Sequence, residues 1–136
     1  MSRILCVDDN DNNLYMLETL LKRAGFEVLQ ARTGEEGVEL AVSQRPDLVL
    51  MDLTLPGIDG CEATRRIRAA PGLGDIPIIA LSGHAEEEKG AEAREAGCDD
   101  YARKPIHVRP LLTLINNMLS RCAPARCVAA GRGVSP

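Results

Sequence analysis

Aromatic residues are almost missing from this chain of 136 residues, which holds one Phe, two Tyr and no Trp. Stacking platforms for single-stranded nucleic acid, flavin-binding sandwiches and aromatic cages for cations all depend on such rings. The sequence supplies these kinds of site poorly. It also follows that the hydrophobic core must be built from aliphatic side chains.

Long hydrophobic runs are missing as well. The first apolar run covers only residues 4–7 and ends at Asp8, which is too short for the apolar region of a signal peptide. No stretch approaches the roughly 18 apolar residues of a membrane span. We therefore expect a cytoplasmic protein that does not bind membranes.

The five cysteines are odd in number and form no CxxC pair, which fits neither a disulfide framework nor a zinc module. Cys6 and Cys61 have apolar or small neighbours in the sequence, and we expect them to be small core residues. The other three are Cys98 and, near the C-terminal end, Cys122 and Cys127. A redox role for the last two is a minor alternative.

Positive charge is in deficit. The formal net charge is −4, from 16 basic and 20 acidic residues. Three of the arginines and none of the acids follow Ser120, so residues 1–120 carry 13 basic and 20 acidic residues and a formal charge of −7. Such a body repels a phosphate backbone, and we expect no DNA binding by the domain itself.

Strand and helix patterns alternate along the chain. Strands are predicted at 4–7, 26–31, 48–51, 76–81 and 100–103, and helices near 14–24, 35–44, 60–69, 85–96 and 108–119. Val38, Ala41 and Val42 are predicted to face inward from the second helix. This alternation predicts an α/β domain of three layers, with a doubly wound, five-stranded parallel sheet covered on both faces. We expect one domain over residues 1–122 and a disordered tail over 123–136, where Pro, Ala, Arg and Gly dominate without periodicity.

Chemistry-bearing side chains follow the predicted strands. Asp8 and Asp9 end the first strand and Asp52 ends the third, so the three carboxylates converge if these strands are neighbours. Like charges this close favour a bound cation, and oxygen ligands at a partly hydrated site suit Mg²⁺. Ser82 and Lys104 add a hydroxyl and a positive charge at the same edge of the sheet. This set is suited to phosphoryl transfer with a carboxylate as nucleophile.

These residues lie in four motifs that together resemble the receiver domain of two-component response regulators, over roughly residues 2–120. The motifs are VDDN (7–10), MDLTLPGIDG (51–60), ALSGHA (80–85) and AGCDDYARKPI (96–106). The resemblance implies the strand order 2-1-3-4-5. It also implies the single-domain type of regulator found in chemotaxis and cell-cycle control, an expectation also favoured by Met1 close to the first strand.

The resemblance implies a role for each matching residue. Asp52 would accept a phosphoryl group from a histidine kinase or a histidine phosphotransfer protein. Asp9 and Asp52 would bind Mg²⁺ directly, Asp8 through water, and Thr54 through its backbone carbonyl. Lys104 would contact the phosphoryl group. The protein would assist its own phosphorylation and dephosphorylation without being an enzyme that acts on a separate substrate.

Further positions match the switch of the family. Ser82 and Tyr101 would move together on phosphorylation and change a protein-binding face, roughly residues 85–120, toward an unknown downstream target. Thr54 and His84 occupy the two positions that tune the lifetime of the phosphoryl group. We expect a monomer or a weak dimer.

Four alternatives differ from this interpretation. A phosphatase of the haloacid dehalogenase type expects a second Asp at the position of Thr54, and the chain is short for its usual cap. A receiver-like interaction module that is not phosphorylated usually lacks an acid or the lysine. A receiver fragment of a hybrid histidine kinase remains open because the run 82–85 is similar to those domains. Nucleotide binding is disfavoured because GxxxxGK[ST] and GxGxxG are both missing.

Overall fold

Five short parallel strands form one sheet: β1 (Arg3–Val7), β2 (Glu27–Ala31), β3 (Leu48–Asp52), β4 (Ile78–Ser82) and β5 (Asp100–Arg103). Their order across the sheet is β2-β1-β3-β4-β5. The sheet and its order confirm the predicted architecture. The computed structural model describes residues 2–53, 55, 57–82, 95–103 and 108–129, and of these it leaves out the side chains of 82, 101, 103, 108 and 120–129.

Four helices are described: α1 (Asp11–Arg23), α2 (Gly34–Gln44), α3 (Gly60–Ala69) and α4 (Val108–Ala129). The helix predicted over 85–96 lies outside the described residues except for its last two positions, which are helical. Among the residues that the structure covers, no helix is both long and apolar enough to cross a membrane.

Alternate residues of the central strands point to opposite faces of the sheet, as the period of a strand requires. On one face, Ile4 and Cys6 pack with Leu17 of α1 and Ile115 of α4. On the other face, Leu5, Val7 and Met51 pack against α2 and α3. β1 and β3 are therefore buried on both sides, which explains why their sequences are continuous apolar runs.

The inner face of α2 differs from the prediction. Ala41 is buried and Val38 is half-buried, but Val42 is 43% exposed. Gly37 approaches the sheet, since a Cβ there would lie 2.8 Å from Val7 Cγ2, whereas Gly34 packs against Ile58 in the loop before α3. Because glycine carries no hydrophobic side chain, the close contact between α2 and the sheet leaves no signal in an apolar pattern.

The last helix also departs from the expected boundary. α4 continues to Ala129, so residues 123–129 are helical where the sequence predicts a disordered tail. Because the extension continues an existing helix, it avoids the unfavourable nucleation step that a separate helix would need. Residues 130–136, the rest of the predicted tail, lie outside the described residues.

Candidate functional site

Three carboxylates meet at the carboxyl edge of the sheet. Asp8 directly follows β1 and Asp52 is the last residue of β3, and these strands are neighbours with Val7 paired to Met51. One ligand oxygen from each of Asp8, Asp9 and Asp52 lies within 4.8 Å of the other two. The structure thus confirms that the three predicted acids form one cluster, here called the acidic cluster.

The cluster is buried at its base and open at one side. Asp8 and Asp52 are only 1% and 2% exposed, whereas Asp9 is exposed. Burying charged carboxylates is unfavourable unless a partner or a cation compensates them. The open side, next to Asp9, is where water or an anionic ligand can reach the buried oxygens.

The turn after β1 orients Asp8. The backbone N–H of Asp8 donates to Ala31 O at 3.0 Å, which continues the ladder between β1 and β2 by one step. The backbone N–H of Asn10 then donates to Asp8 Oδ1 at 2.9 Å. Asn10 is the N-cap of α1, since its side-chain oxygen accepts from the N–H groups of Asn12 and Asn13. Asn10 thus satisfies two N–H groups of the first turn of α1, which is the usual role of an N-cap residue.

The backbone around Asp52 is held by its neighbours on two sides. The N–H of Leu53 donates to Leu81 O of β4 at 2.9 Å, and the N–H of Gly60 donates to Leu53 O at 3.2 Å. A Cβ on Gly60 would overlap the carbonyl oxygen of Asp52 and lie 2.7 Å from Leu53 Cα. Only glycine permits α3 to begin this close to the strand end that carries Asp52.

The donor set fits a magnesium ion. Carboxylate oxygens are the ligands that Mg²⁺ prefers, and it binds proteins through one or two carboxylates while keeping several waters. Two buried carboxylates beside an exposed one supply those oxygens and leave room for water and a phosphoryl group. A soft metal is a poor match, because the acidic cluster offers no thiolate or imidazole among its described residues.

Two further site residues are placed only by their backbone. Asp52 pairs with Leu81 across β3 and β4, so Ser82 lies one residue beyond that pair at the same edge. Tyr101 in β5 pairs with Ala80, two residues before Ser82. The side chains of both lie outside the described part of the chain, as do Thr54, His84 and Lys104 altogether.

The three cysteines whose side chains the structure describes are buried core residues. Cys6, Cys61 and Cys98 are free and buried, as expected for Cys6 and Cys61. Burial, followed by the charges of Asp8 and Glu18, raises the pKa of the Cys6 thiol. Since the thiolate is the reactive form, Cys6 has no nucleophilic role beside the acidic cluster. The side chains of Cys122 and Cys127 are not among those described.

Sequence reasoning missed two residues that shape the cluster. One is Gly60, whose hydrogen in place of a side chain admits α3. The other is Asn13, whose amide Nδ2 lies 3.3 Å from Asp8 Oδ2. The available signal for Asn13 was its spacing: it stands four residues before the buried Leu17, so the two side chains share one face of α1.

Comparisons with known proteins agree with this geometry. The family model of the response regulator receiver domain matches residues 4–116. Protein PilH of Pseudomonas aeruginosa is 38% identical over 120 residues, which are 88% of this chain and 99% of PilH. Sensor protein GacS of Pseudomonas syringae pv. syringae is 40% identical over 116 residues, which are 83% of this chain but only 13% of GacS.

A solved structure gives the same result. The receiver domain of a sensor histidine kinase from Pseudomonas aeruginosa PAO1 has a TM-score of 0.82 and 35% identity, covering 88% of this chain and 98% of that one. It is described as having a magnesium ion coordinated in its active-site cleft. The chain belongs to the response regulator receiver domain family and is a phosphoacceptor response regulator of two-component signalling.

Proposed function

We propose that Asp52 is the phosphoacceptor of this receiver domain and that Mg²⁺ binds at the acidic cluster when the reaction takes place. The observation that carries the proposal is the convergence of Asp8, Asp9 and Asp52 within 4.8 Å at the edge of the sheet. Asp52 ends a central strand beneath the open side of the cluster. The matched site of the sensor kinase receiver, with its magnesium ion, supports the choice of metal.

The reaction transfers one phosphoryl group. A carboxylate oxygen of Asp52 attacks the phosphorus of a phosphohistidine on a histidine kinase or phosphotransfer protein. A P–O bond forms, the P–N bond breaks, and its electron pair stays on the imidazole nitrogen of the donor. Asp9 and Asp52 would bind Mg²⁺ directly, Asp8 would bind it through water, and Thr54 would contribute its backbone carbonyl. When bound, the ion would supply positive charge that offsets the charge of the transferring phosphoryl oxygens.

The burial of Asp8 and Asp52 at the base of the acidic cluster supports this chemistry. Burial of Asp8 and Asp52 lowers the local dielectric and strengthens each electrostatic interaction with the phosphoryl group. The backbone N–H of Leu53 is hydrogen-bonded to β4, and Leu53 O accepts a hydrogen bond from the N–H of Gly60. The carboxylate of Asp52 therefore needs little reorganisation before it attacks phosphorus. A nucleophile that is already held in position lowers the free-energy barrier to phosphoryl transfer, because less conformational freedom is lost on reaching the transition state.

The remaining matched residues complete the proposal. Lys104 contacts the phosphoryl group, and Ser82 and Tyr101 form the switch that changes the protein-binding face over residues 85–120. Thr54 and His84 set the lifetime of the phosphoryl group. The position of Ser82 one residue beyond the Asp52–Leu81 pair supports its part in this scheme. The protein turns over no separate substrate.

The domain organisation, the location and the output of the protein are also part of the proposal. We propose a single-domain cytoplasmic regulator with its receiver domain over residues 1–122, acting as a monomer or weak dimer. PilH, matched over 99% of its length, supports this arrangement. The output is then contact with a downstream protein and not DNA binding, which the acidic charge of residues 1–120 disfavours. The match to sensor protein GacS favours the alternative that this domain belongs to a hybrid histidine kinase.

The proposal is tested by phosphorylation with acetyl phosphate, followed by intact-mass spectrometry. The wild-type protein should gain one phosphoryl group in the presence of Mg²⁺ and none after chelation. Asp52→Asn should gain none, and Asp9→Asn should react far more slowly. Asp75→Asn is the matched control, because Asp75 is exposed in the loop before β4, at the opposite end of the sheet.

The position of the phosphoryl group completes the test. Borohydride reduction of the acyl phosphate and peptide mapping should locate the modification at residue 52. Normal phosphorylation of Asp52→Asn would overturn the assignment. A wild-type protein that binds neither Mg²⁺ nor beryllofluoride would instead favour an interaction module that works without phosphorylation.

A further inference from the structure

Asn13 joins the first turn of α1 to the base of the acidic cluster. Its side-chain Nδ2 donates to Asp8 Oδ2 at 3.3 Å, while the backbone N–H of Asn10 donates to Asp8 Oδ1 at 2.9 Å. The two donors thus approach different oxygens of one carboxylate. Asp8 is 1% exposed, and Asn13 is half-buried beside it.

The orientation of the Asn13 amide follows from its partner. An ionised carboxylate only accepts hydrogen bonds, so the NH₂ group of Asn13 must face Asp8 and the amide oxygen must face away. Donors on both oxygens fix the plane of the carboxylate more firmly than a donor on one oxygen does. A carboxylate oxygen has two lone pairs, so the hydrogen bond from Asn13 does not by itself prevent that oxygen from binding water or a cation.

We propose that Asn13 is a positioning residue for cation binding: its amide holds the Asp8 carboxylate in the orientation that Mg²⁺, or a water bound to it, requires. This inference rests on the proposed function of the acidic cluster. The N–H groups of Asn13 also bring partial positive charge to a place where three carboxylates repel one another. The orientation of Asp8 and the reduced repulsion between the carboxylates both favour a site that is formed before the ion arrives.

The contact is specific to one of two adjacent asparagines. Asn12 follows the same N-cap and has the same side chain, but it is exposed on the outer side of α1. Partners that orient metal ligands typically contribute 10–100-fold to metal affinity or activity. Comparing substitutions at Asn13 and Asn12 therefore distinguishes the loss of the orienting hydrogen bond from the general effect of removing a side-chain amide near the start of α1.

The test is a calorimetric titration of Mg²⁺ into four proteins: wild type, Asn13→Ala, Asn13→Gln and Asn12→Ala. Asn13→Ala should bind Mg²⁺ about tenfold more weakly than wild type. Asn13→Gln, which keeps the amide, should lie between them, and Asn12→Ala should match wild type within about twofold. A Kd of Asn13→Ala within twofold of wild type would overturn the inference.

A second readout separates positioning from a purely structural role. The Mg²⁺ concentration for half-maximal phosphorylation by acetyl phosphate should rise in Asn13→Ala by the same factor as the Kd. The rate at saturating Mg²⁺ should stay close to that of wild type. A lower free energy of unfolding with an unchanged half-maximal concentration would show that Asn13 only supports the helix. If Asn13→Ala does not fold, Asn13→Ser and Asn13→Gln carry the same comparison.

The outcomes distinguish this inference from the proposed function. If the wild type binds Mg²⁺ and is phosphorylated while Asn13→Ala has unchanged affinity, only the role of Asn13 fails. If the wild type binds no Mg²⁺, the function proposed for the acidic cluster fails, and the role of Asn13 fails with it.

Discussion

Arg68 at the end of α3 is bound to Asp99, in the turn before β5, by an ion pair of 2.7 Å between Nη2 and Oδ2. The same guanidinium donates to the carbonyl oxygens of Gly97, Gly74 and Ile76. The shared Asp99 oxygen also accepts from the backbone N–H of Ile78 at 2.9 Å. One side chain thus ties α3 to both loops at the amino edge of β4 and β5.

Arg68→Ala should lower the free energy of unfolding by about 2–4 kcal/mol, because it leaves several partly buried carbonyls and a carboxylate without their charged donor. The Arg68 side chain is only 17% exposed, which limits compensation by water. Urea unfolding measures the change. Arg68→Lys keeps the charge but not the planar set of donors, so it should recover less than half of the loss.

Arg65→Ala is the matched control on the same helix. Arg65 is about half exposed and pairs with Glu62 at 3.7 Å, and such a surface pair contributes about 0–1 kcal/mol. Equal destabilisation by Arg65→Ala and Arg68→Ala would contradict the role given to the Arg68 contacts.

Gly60→Ala should impair both stability and phosphorylation. The new methyl group overlaps the Asp52 carbonyl, so α3 or the strand end must shift, at a loss of about 1–3 kcal/mol. Since the displaced backbone carries the proposed nucleophile, the rate of phosphorylation by acetyl phosphate should fall at saturating Mg²⁺. Paired unfolding and phosphorylation measurements check both effects.

Gly74→Ala provides the comparison for this variant. A Cβ at Gly74 has its nearest neighbour, Arg68 O, 4.0 Å away, so the methyl group fits without overlap. We expect its stability to change by less than about 1 kcal/mol and its phosphorylation rate to remain that of wild type. A Gly60→Ala protein that behaves like Gly74→Ala would show that the close approach of α3 does not matter.

Cys98 should make stability depend on alkaline pH. Burial raises the pKa of its thiol, an effect that outweighs the opposing effect of the hydrogen bond shared with Thr64, whose Oγ1 lies 3.6 Å from the Cys98 sulfur. The folded protein therefore keeps the proton to a higher pH than the unfolded chain does. The stabilisation is fully present below the thiol pKa of the unfolded chain, about 8.5, and is lost as pH rises through the folded pKa.

The measurement compares wild type with Cys98→Ala in urea at pH 7.5 and pH 9.5. The advantage of wild type over the variant should shrink by about 1 kcal/mol between these values, because the cavity left by the sulfur does not depend on pH. An advantage that stays constant or grows with pH would contradict the direction of the pKa change. Phosphorylation assays near neutral pH should be unaffected, since Cys98 lies away from the acidic cluster.

Residues whose role is set by their place in the chain were predictable. Asp8 and Asp52 stand at the ends of apolar runs, and parallel strands bring their carboxyl ends to one edge, so the acidic cluster follows once β1 and β3 are neighbours. That neighbour relation came from the resemblance to receiver domains. The buried Cys6 and Cys61 were likewise predictable from their apolar neighbours in sequence.

Residues whose role depends on a contact between distant segments were not predictable. Gly60 matters because α3 begins against the backbone of Asp52, and Val42 was wrongly predicted to face inward because α2 meets the sheet through Gly37 and Ala41. Arg68 has a charged side chain on a helix, a pattern typical of an exposed residue, yet it donates to Asp99 and to four backbone carbonyls. Such roles arise only when the elements pack together.

The strand order places the acids and the proposed switch on mechanically different parts of the sheet. Among the strands that the structure describes, β1 and β3 each have a neighbour on both sides, whereas β5 has a neighbour on one side. A displacement of β5 disturbs a single ladder of hydrogen bonds, while a displacement of β1 or β3 disturbs two. The acidic cluster therefore lies on strands whose displacement disturbs more hydrogen bonds than a displacement of the strand that carries Tyr101.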